Sequence, residues 1–309
     1  MGRIGHVMWD YTPLAMLVGN VIVRVRHYPG FSHKQETTIV TVTGILSAAN
    51  IATKGTIMLY TAKTLKGYTL HSHDGAIGSV REFYFDDKFW TVRYLVADTG
   101  GWLTGREVLL SPFSIHSVDP VKKQVHVGLT KKQIENSPGL DSDKPVSRQF
   151  EESYYGYYGW PIYWGGPYSW GPYPYVMRDS DRFGEFARRE QSWDSHLRST
   201  HAVDGYHIDA SNGNVGHVED FIIDDETWAI RYLVVNTRNW IPGKKVLVSP
   251  QWIENVSWSD SKVLVGLTRE TIKNSPELTD DLLITRNYEI ELHGHYNREG
   301  YWAEELVKH

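Results

Sequence analysis

The stretch VRYLVADTGGWLTGREVLLSP, Val92 to Pro112, returns as IRYLVVNTRNWIPGKKVLVSP, Ile230 to Pro250, 138 positions later and without a gap. Self-similarity at one fixed offset over this length identifies a duplicated structural unit before any secondary structure is assigned. The register holds outward on both sides. DGAIGSVREFYFDD from Asp74 lies over NGNVGHVEDFIIDD from Asn212, and GLTKKQIENSP from Gly128 lies over GLTRETIKNSP from Gly266. The match begins at Leu59 over Leu197. It continues through Arg148, Phe150, Glu151, Gly156, Tyr158, Tyr163 and Trp164, which lie over Arg286, Tyr288, Glu289, Gly294, Tyr296, Tyr301 and Trp302.

The same offset divides the aromatic stretch YYGYYGWPIYWGGPYSWGPYPYV, Tyr154 to Val176. Composition alone places such a tract with disordered, sticky segments. Up to Trp164, however, it has a counterpart, YEIELHGHYNREGYW, that is not low in complexity, so this part belongs to the repeat. The organisation expected is therefore residues 1–57 as an extension without counterpart, 58–164 as a first unit, 165–197 as a linker, 198–302 as a second unit and 303–309 as a tail. Met58 is the preferred natural start, and a short added strand or tail is the rival reading of residues 1–57.

Within each copy the pattern is mostly strand. Asp74-Gly75 and Asn212-Gly213 suit type I′ hairpins, which need positive φ at both central residues. FWTVRYLVAD alternates, with Trp90, Val92, Tyr94 and Val96 on an expected core face, matched by Trp228, Ile230, Tyr232 and Val234. Ser-Pro ends the following strand in both copies, because proline lacks the N–H that a ladder uses. Thr130 and Thr268 are placed to cap a short helix that stops at Asn-Ser-Pro. The fold class expected is mainly β: two small barrels in tandem, each with a short C-terminal helix and an aromatic strap that folds back without regular hydrogen bonding of its own.

Composition excludes several classes. The chain has 309 residues, no Cys and a formal net charge of -5. Disulfides, thiolate metal sites and Cys nucleophiles are ruled out, and general phosphate binding lacks its basic excess. The best apolar run, Pro13 to Val23, is far short of the roughly 20 residues a membrane helix needs. It also makes a poor signal peptide, so cytoplasm is the default compartment.

Gly78 and Gly216, the RYLV strands, Trp102 and Trp240 before Gly105 and Gly243, and the Ser-Pro pairs together resemble the PRC-barrel family. That family includes the cytoplasmic part of the photosynthetic reaction centre H subunit and the C-terminal half of the ribosome maturation factor. The resemblance covers about residues 59 to 136 and 197 to 274, and the arrangement is similar to bacterial tandem PRC-barrel proteins. It implies small β-barrels and a non-catalytic role in binding or assembly, with photosynthetic-complex or ribosome-processing accessory work as its analogues. Motifs of this kind specify a fold better than a chemistry.

No residue reads as catalytic. Asp86-Asp87 and Asp224-Asp225 are paired carboxylates at a turn between strands. Glu82 with Arg93, and Asp220 with Arg231, are expected as cross-strand ion pairs. His71 and His73 share a strand face, and His293 and His295 repeat that spacing. A divalent metal could sit on either pair, yet the copy positions carry Asp209, Ser211, Tyr155 and Tyr157, so solvated histidines are the preferred reading. No phosphate loop, G-x-S-x-G or H-E-x-x-H occurs. The candidate interaction residues are the strap aromatics Tyr158, Trp164, Tyr296 and Trp302. The expected function is a non-catalytic protein-binding or assembly module with no cofactor, an internal pseudo-dimer able to form a homodimer. A small-ligand or metal binder, or a hydrolase, using the cleft between barrels is the alternative.

Overall fold

A computed structural model describes residues 15–18, 21–24, 58–103, 106–139, 146–160, 162–164, 197–237, 244–279 and 284–306. The expected extension 1–57 lies outside the described residues except for two short strands, and the expected linker 165–197 lies outside them except for Leu197. The contacts divide the chain into residues 1–53 and 54–309. In the first unit, β1 (Ala15–Val18) and β2 (Val21–Arg24) form an antiparallel hairpin. Among the described residues no helix is long and apolar enough to cross a membrane.

The second unit holds both repeats. The first runs β3 (Leu59–Thr61), α1 (Ala62–Leu65), β4 (Thr69–Ser72), β5 (Gly75–Asp86), β6 (Thr91–Asp98), β7 (Val108–Leu110), β8 (Ile115–Asp119), β9 (Gln124–Val127), α2 (Lys131–Glu135) and α3 (Arg148–Tyr158). The second follows as β10 (Leu197–Ser199), α4 (Thr200–Val203), β11 (His207–Ala210), β12 (Gly213–Asp224), β13 (Ile230–Asn236), β14 (Lys245–Val248), β15 (Ile253–Ser257), β16 (Lys262–Val265), α5 (Arg269–Lys273), α6 (Arg286–His295) and α7 (Tyr301–Leu306). The fold is mainly β, as the alternation implies.

Each repeat builds a sheet of the same order, β7-β6-β5-β4-β9-β8 and β14-β13-β12-β11-β16-β15. The sheets are not closed into barrels, contrary to the expectation. Their end strands are short, and Ser111-Pro112 and Ser249-Pro250 send the chain into a 3-10 turn where a ladder would otherwise continue.

The seventh strand of each sheet comes from the other repeat. Strand β5 has twelve residues, but its neighbour β4 reaches only from Gly75 to Ser79. The rest of that edge would offer unpaired N–H and C=O groups. Leu197, Arg198 and Ser199 of β10 fill it opposite Asp86, Phe85 and Tyr84. Reciprocally, Leu59, Tyr60 and Thr61 of β3 pair with Asp224, Ile223 and Ile222 of β12. The repeats also meet through a Thr91–Ala229 bridge, in which the Val92 and Ile230 amides donate to the Trp228 and Trp90 carbonyls at 2.8 and 2.7 Å. Trp90 and Trp228 reach this geometry at φ 52° and 61°, a left-handed conformation rare for bulky side chains. Packing holds them there: Trp90 is buried and stacks on Phe85 at 5.2 Å.

The apolar interior is accordingly shared. One buried cluster runs from Leu65, Phe83 and Phe85 of the first repeat to Phe221, Ile223 and Val235 of the second, and the Phe85 and Phe221 rings lie 5.7 Å apart. The core face read from alternation needs correction. Strand β6 is buried on both faces from Thr91 to Ala97. Leu95 and Ala97 enter the shared core, whereas Tyr94 and Val96 face a separate cluster beneath α3.

The hairpins form where Asp74-Gly75 and Asn212-Gly213 place them, but one residue earlier. Ser72 pairs with Gly75 and Ala210 with Gly213, so His73-Asp74 and Ser211-Asn212 occupy the turns. None of these four has positive φ, which excludes type I′, and Gly75 and Gly213 instead take φ 126° and 133°. Gly78 and Gly216 are required for space: a Cβ there would lie 2.0 Å from the Asp98 or Asn236 carbonyl oxygen. The Thr130 and Thr268 caps are present, and the Thr130 cap forms a full capping box with Gln133.

Candidate functional site

The straps are helices, not irregular segments. Ser147 and Thr285 accept the Phe150 and Tyr288 amides as N-caps, and α3 and α6 then lie on the sheets of their own repeats. Each brings one glutamate inward against a tyrosine of the central strand. Glu151 accepts hydrogen bonds from the Tyr94 hydroxyl at 3.0 Å, the Tyr163 hydroxyl at 2.6 Å and Arg148 at 3.0 Å. Glu289 accepts from Tyr232 and Tyr301, both at 2.9 Å, and pairs with Arg286 at 2.9 Å. All of these residues are equivalent at the repeat offset.

Burial pushes the Glu151 carboxyl up to about 7, against the opposing pull of Arg148 and the two phenols. Burial raises Glu289 as well, and it lowers His293 below the ordinary imidazole range. His293 donates from Nδ1 to the Glu299 carbonyl at 2.9 Å, and its Nε2 lies 3.0 Å from the Tyr232 hydroxyl. The Tyr232 hydroxyl thus lies between Glu289 Oε1 and His293 Nε2, and its single proton serves one of the two acceptors at a time. The preference for solvated histidines thus fails at His293, which is 2% exposed. His295 donates instead to the Thr271 carbonyl at 2.8 Å.

Beside each glutamate sits a buried ion pair, but not the expected one. Arg93 pairs with Asp86 at 3.2 Å, and Arg231 with Asp224 at 2.6 Å. The strand register places Glu82 opposite Val96 and Asp220 opposite Val234, both beyond the arginines' positions. Glu82 accepts instead from the Ser199 hydroxyl and Asp220 from the Lys63 amide at 3.2 Å, each reaching across to the exchanged strand or helix of the other repeat. Asp86 and Asp224 also hold their turns, accepting the Lys88 and Glu226 amides, as the turn reading requires. The arginine planes lie against strap rings: Arg93 is 4.1 Å from Tyr163, and Arg231 is 3.8 Å from Tyr301.

Of the four strap aromatics singled out in the sequence, Tyr296 is buried, and Tyr158, Trp164 and Trp302 are half-buried. Also buried in the straps are Tyr154, Tyr155 and Tyr163 in one copy and Leu292, His293 and Tyr301 in the other. A helical reading would have found Tyr154, Tyr155, Leu292 and His293, since they lie at i+3 and i+4 from Glu151 and Glu289.

A cleft of about 70 Å³ lies where the repeats meet. Its lining residues are equivalent pairs, among them Lys63 and His201, Lys66 and Asp204, Arg81 and Glu219, and Glu82 and Asp220, so it sits on the internal pseudo-twofold. The first repeat contributes Lys63, Lys66 and Arg81 together with Glu82, and the second Asp204, Glu219 and Asp220 together with His201. Its size suits an ion or a few waters, well below the roughly 300 Å³ at which organic-ligand pockets begin.

One surface differs between the copies. Phe113 and Tyr157 are 52% and 42% exposed. Phe113 lies 5.3 Å from Trp160, Trp160 stacks on Tyr158 at 4.3 Å, and Tyr157 meets Tyr158 edge-on at 4.8 Å. The second repeat carries Gln251, His295 and Arg298 in place of Phe113, Tyr157 and Trp160.

Residues 208–271 match the family model of the PRC-barrel domain. The first repeat shares the gapless internal match and the sheet order with this region. No curated protein matches the chain.

Proposed function

With a PRC-barrel domain at residues 208–271 as the premise, we propose that the protein is a non-catalytic module that docks a protein partner on the aromatic face of its first repeat. The observation that carries this reading is the ladder of Phe113, Trp160, Tyr158 and Tyr157, whose outer rings stay exposed in one repeat and are polar or charged residues in the other. Aromatic side chains dominate the centres of protein interfaces, because they cover much area at little cost in rotamer entropy. The buried carboxylates support the same reading. Glu151 and Glu289 are each 2% exposed and saturated by phenols and guanidinium groups, an arrangement that anchors helices on sheets and leaves no path for a substrate.

The test pairs affinity capture from native lysate with Phe113→Ser/Trp160→Ser, read by quantitative mass spectrometry. A protein retained by the wild type, lost by a variant whose unfolding midpoint is unchanged, and rebound as a purified component supports the proposal. Identical captured sets for both proteins would overturn it.

A further inference from the structure

His71 and His73 gain partners that their spacing did not reveal. Strand β4 runs parallel to β9, which places His71 directly opposite His126. Their ring centroids are 6.0 Å apart. One row further along, the His73 amide donates to the Leu129 carbonyl, and the His73 ring lies 6.2 Å from that of His116 on β8. Gly128 lies between these two, and its lack of a side chain makes room: a Cβ there would come 2.4 Å from His116 Nε2. Four of the chain's 14 histidines therefore fall into two ring pairs, one on the paired strands β4 and β9 and one between the β4–β5 turn and β8.

The second repeat provides the internal comparison. It has the same strand pairing, with Asp209 opposite Leu264, and its Gly266 likewise makes room for Glu254. The four equivalent residues are Asp209, Ser211, Glu254 and Leu264, so the backbone does not require imidazoles at these places. The rings are half-buried or exposed, and so reachable from solvent.

We propose that His71 and His126, with His73 and His116 beside them, bind one divalent transition-metal ion of the class that takes imidazole nitrogen, namely Zn²⁺, Cu²⁺ or Ni²⁺. An ion bonded to one nitrogen of each ring at about 2.0–2.1 Å would bring the centroids to about 5 Å, a closure of about 1 Å that small side-chain rotations supply. Among the described residues no group of three or more His, Cys, Asp or Glu side chains already encloses a metal position, so the site is a two-imidazole chelate. Water or a partner's side chain completes the coordination.

The experiment uses the full-length, untagged, metal-stripped chain. Zn²⁺ or Ni²⁺ is titrated calorimetrically, and Cu²⁺ is added for electron paramagnetic resonance. One ion per chain is expected, with a Cu²⁺ spectrum showing at least two nitrogen ligands. His71→Asn/His126→Asn should weaken binding by about 10-fold or more, by comparison with losses at known metal sites. The unfolding midpoint of that variant without metal should stay unchanged, because these side chains are not part of the core. No saturation at millimolar metal, or an affinity within twofold of wild type in that variant, would overturn the proposal.

Discussion

Replacing Phe85 by alanine tests whether the two repeats are one folding unit. The ring is fully buried, stacks on Trp90 in its own repeat at 5.2 Å and meets Phe221 of the other repeat at 5.7 Å. Truncating a buried phenylalanine costs about 3–5 kcal/mol, the upper end applying where neighbours cannot collapse into the void. Phe85 also belongs to the strand edge that β10 completes, since its pairing partner there is Arg198. Collapse is thus opposed from both repeats. For a unit of this size each kcal/mol lowers Tm by roughly 2–4 °C, so Phe85→Ala should lower it by about 6–20 °C. Calorimetry should show a single transition before and after the change. Hydrogen exchange should report the same loss of protection at Leu95 in the first repeat and at Leu233 and Val263 in the second, although Val263 lies on a distant strand of its sheet. Two resolved transitions with only one displaced, or accelerated exchange confined to the first repeat, would refute the shared core and return the molecule to two independent domains.

Three further outcomes follow from the site and the backbone. Because its folded-state carboxyl titrates at about 7 instead of the ordinary 4.5, Glu151 holds a proton that the unfolded chain has already released; stability should fall as pH rises from about 4.5 to 7, by an amount on the order of 3 kcal/mol. Urea midpoints at pH 5 and pH 8 should differ less for Glu151→Gln than for wild type, and an unchanged difference would mean the carboxyl is not held neutral. Arg231→Met should cost about 3–5 kcal/mol, because it leaves Asp224 charged, fully buried and without its guanidinium, whereas Lys262→Met at the exposed 4.0 Å pair with Asp209 should cost less than about 1 kcal/mol. Comparable losses from the two would contradict that assignment of burial. Gly216→Ala should destabilise by more than about 2 kcal/mol, since backbone stands in the way of the methyl group, while Gly294→Ala, with open space around it on α6, should be neutral or stabilise by up to about 1 kcal/mol; chemical denaturation of both variants checks the contrast.

Much of the molecule was legible before any coordinates. The duplication, the strand alternation, the caps at Thr130 and Thr268 and the hairpins near Gly75 and Gly213 all depend on residues within a few positions of one another, and local rules resolve them. The ion-pair partners were not legible, because the short turns after Asp86 and Asp224 set a pairing in which Glu82 lies opposite Val96 and Asp220 opposite Val234, past Arg93 and Arg231. Glu151 and Glu289 were placed in register by the repeat. Their role is not legible from an irregular strap, because it is helical spacing that aims each carboxylate at a central-strand tyrosine 57 residues away and a strap tyrosine 12 residues away.

What the sequence determined by itself is the unit: one β-rich module, written twice, with its turns and caps in place. Tertiary structure alone decided how the two copies combine. Strands β3 and β10 are three residues long and carry no signal naming their partner. Each fills the edge that the short β4 or β11 leaves open on the other repeat's sheet. The same holds for the histidine face. His71 and His73 are neighbours by spacing, but His126 and His116 reach them only through the parallel pairing of β4 with β9, a contact between segments more than fifty residues apart that no periodicity records.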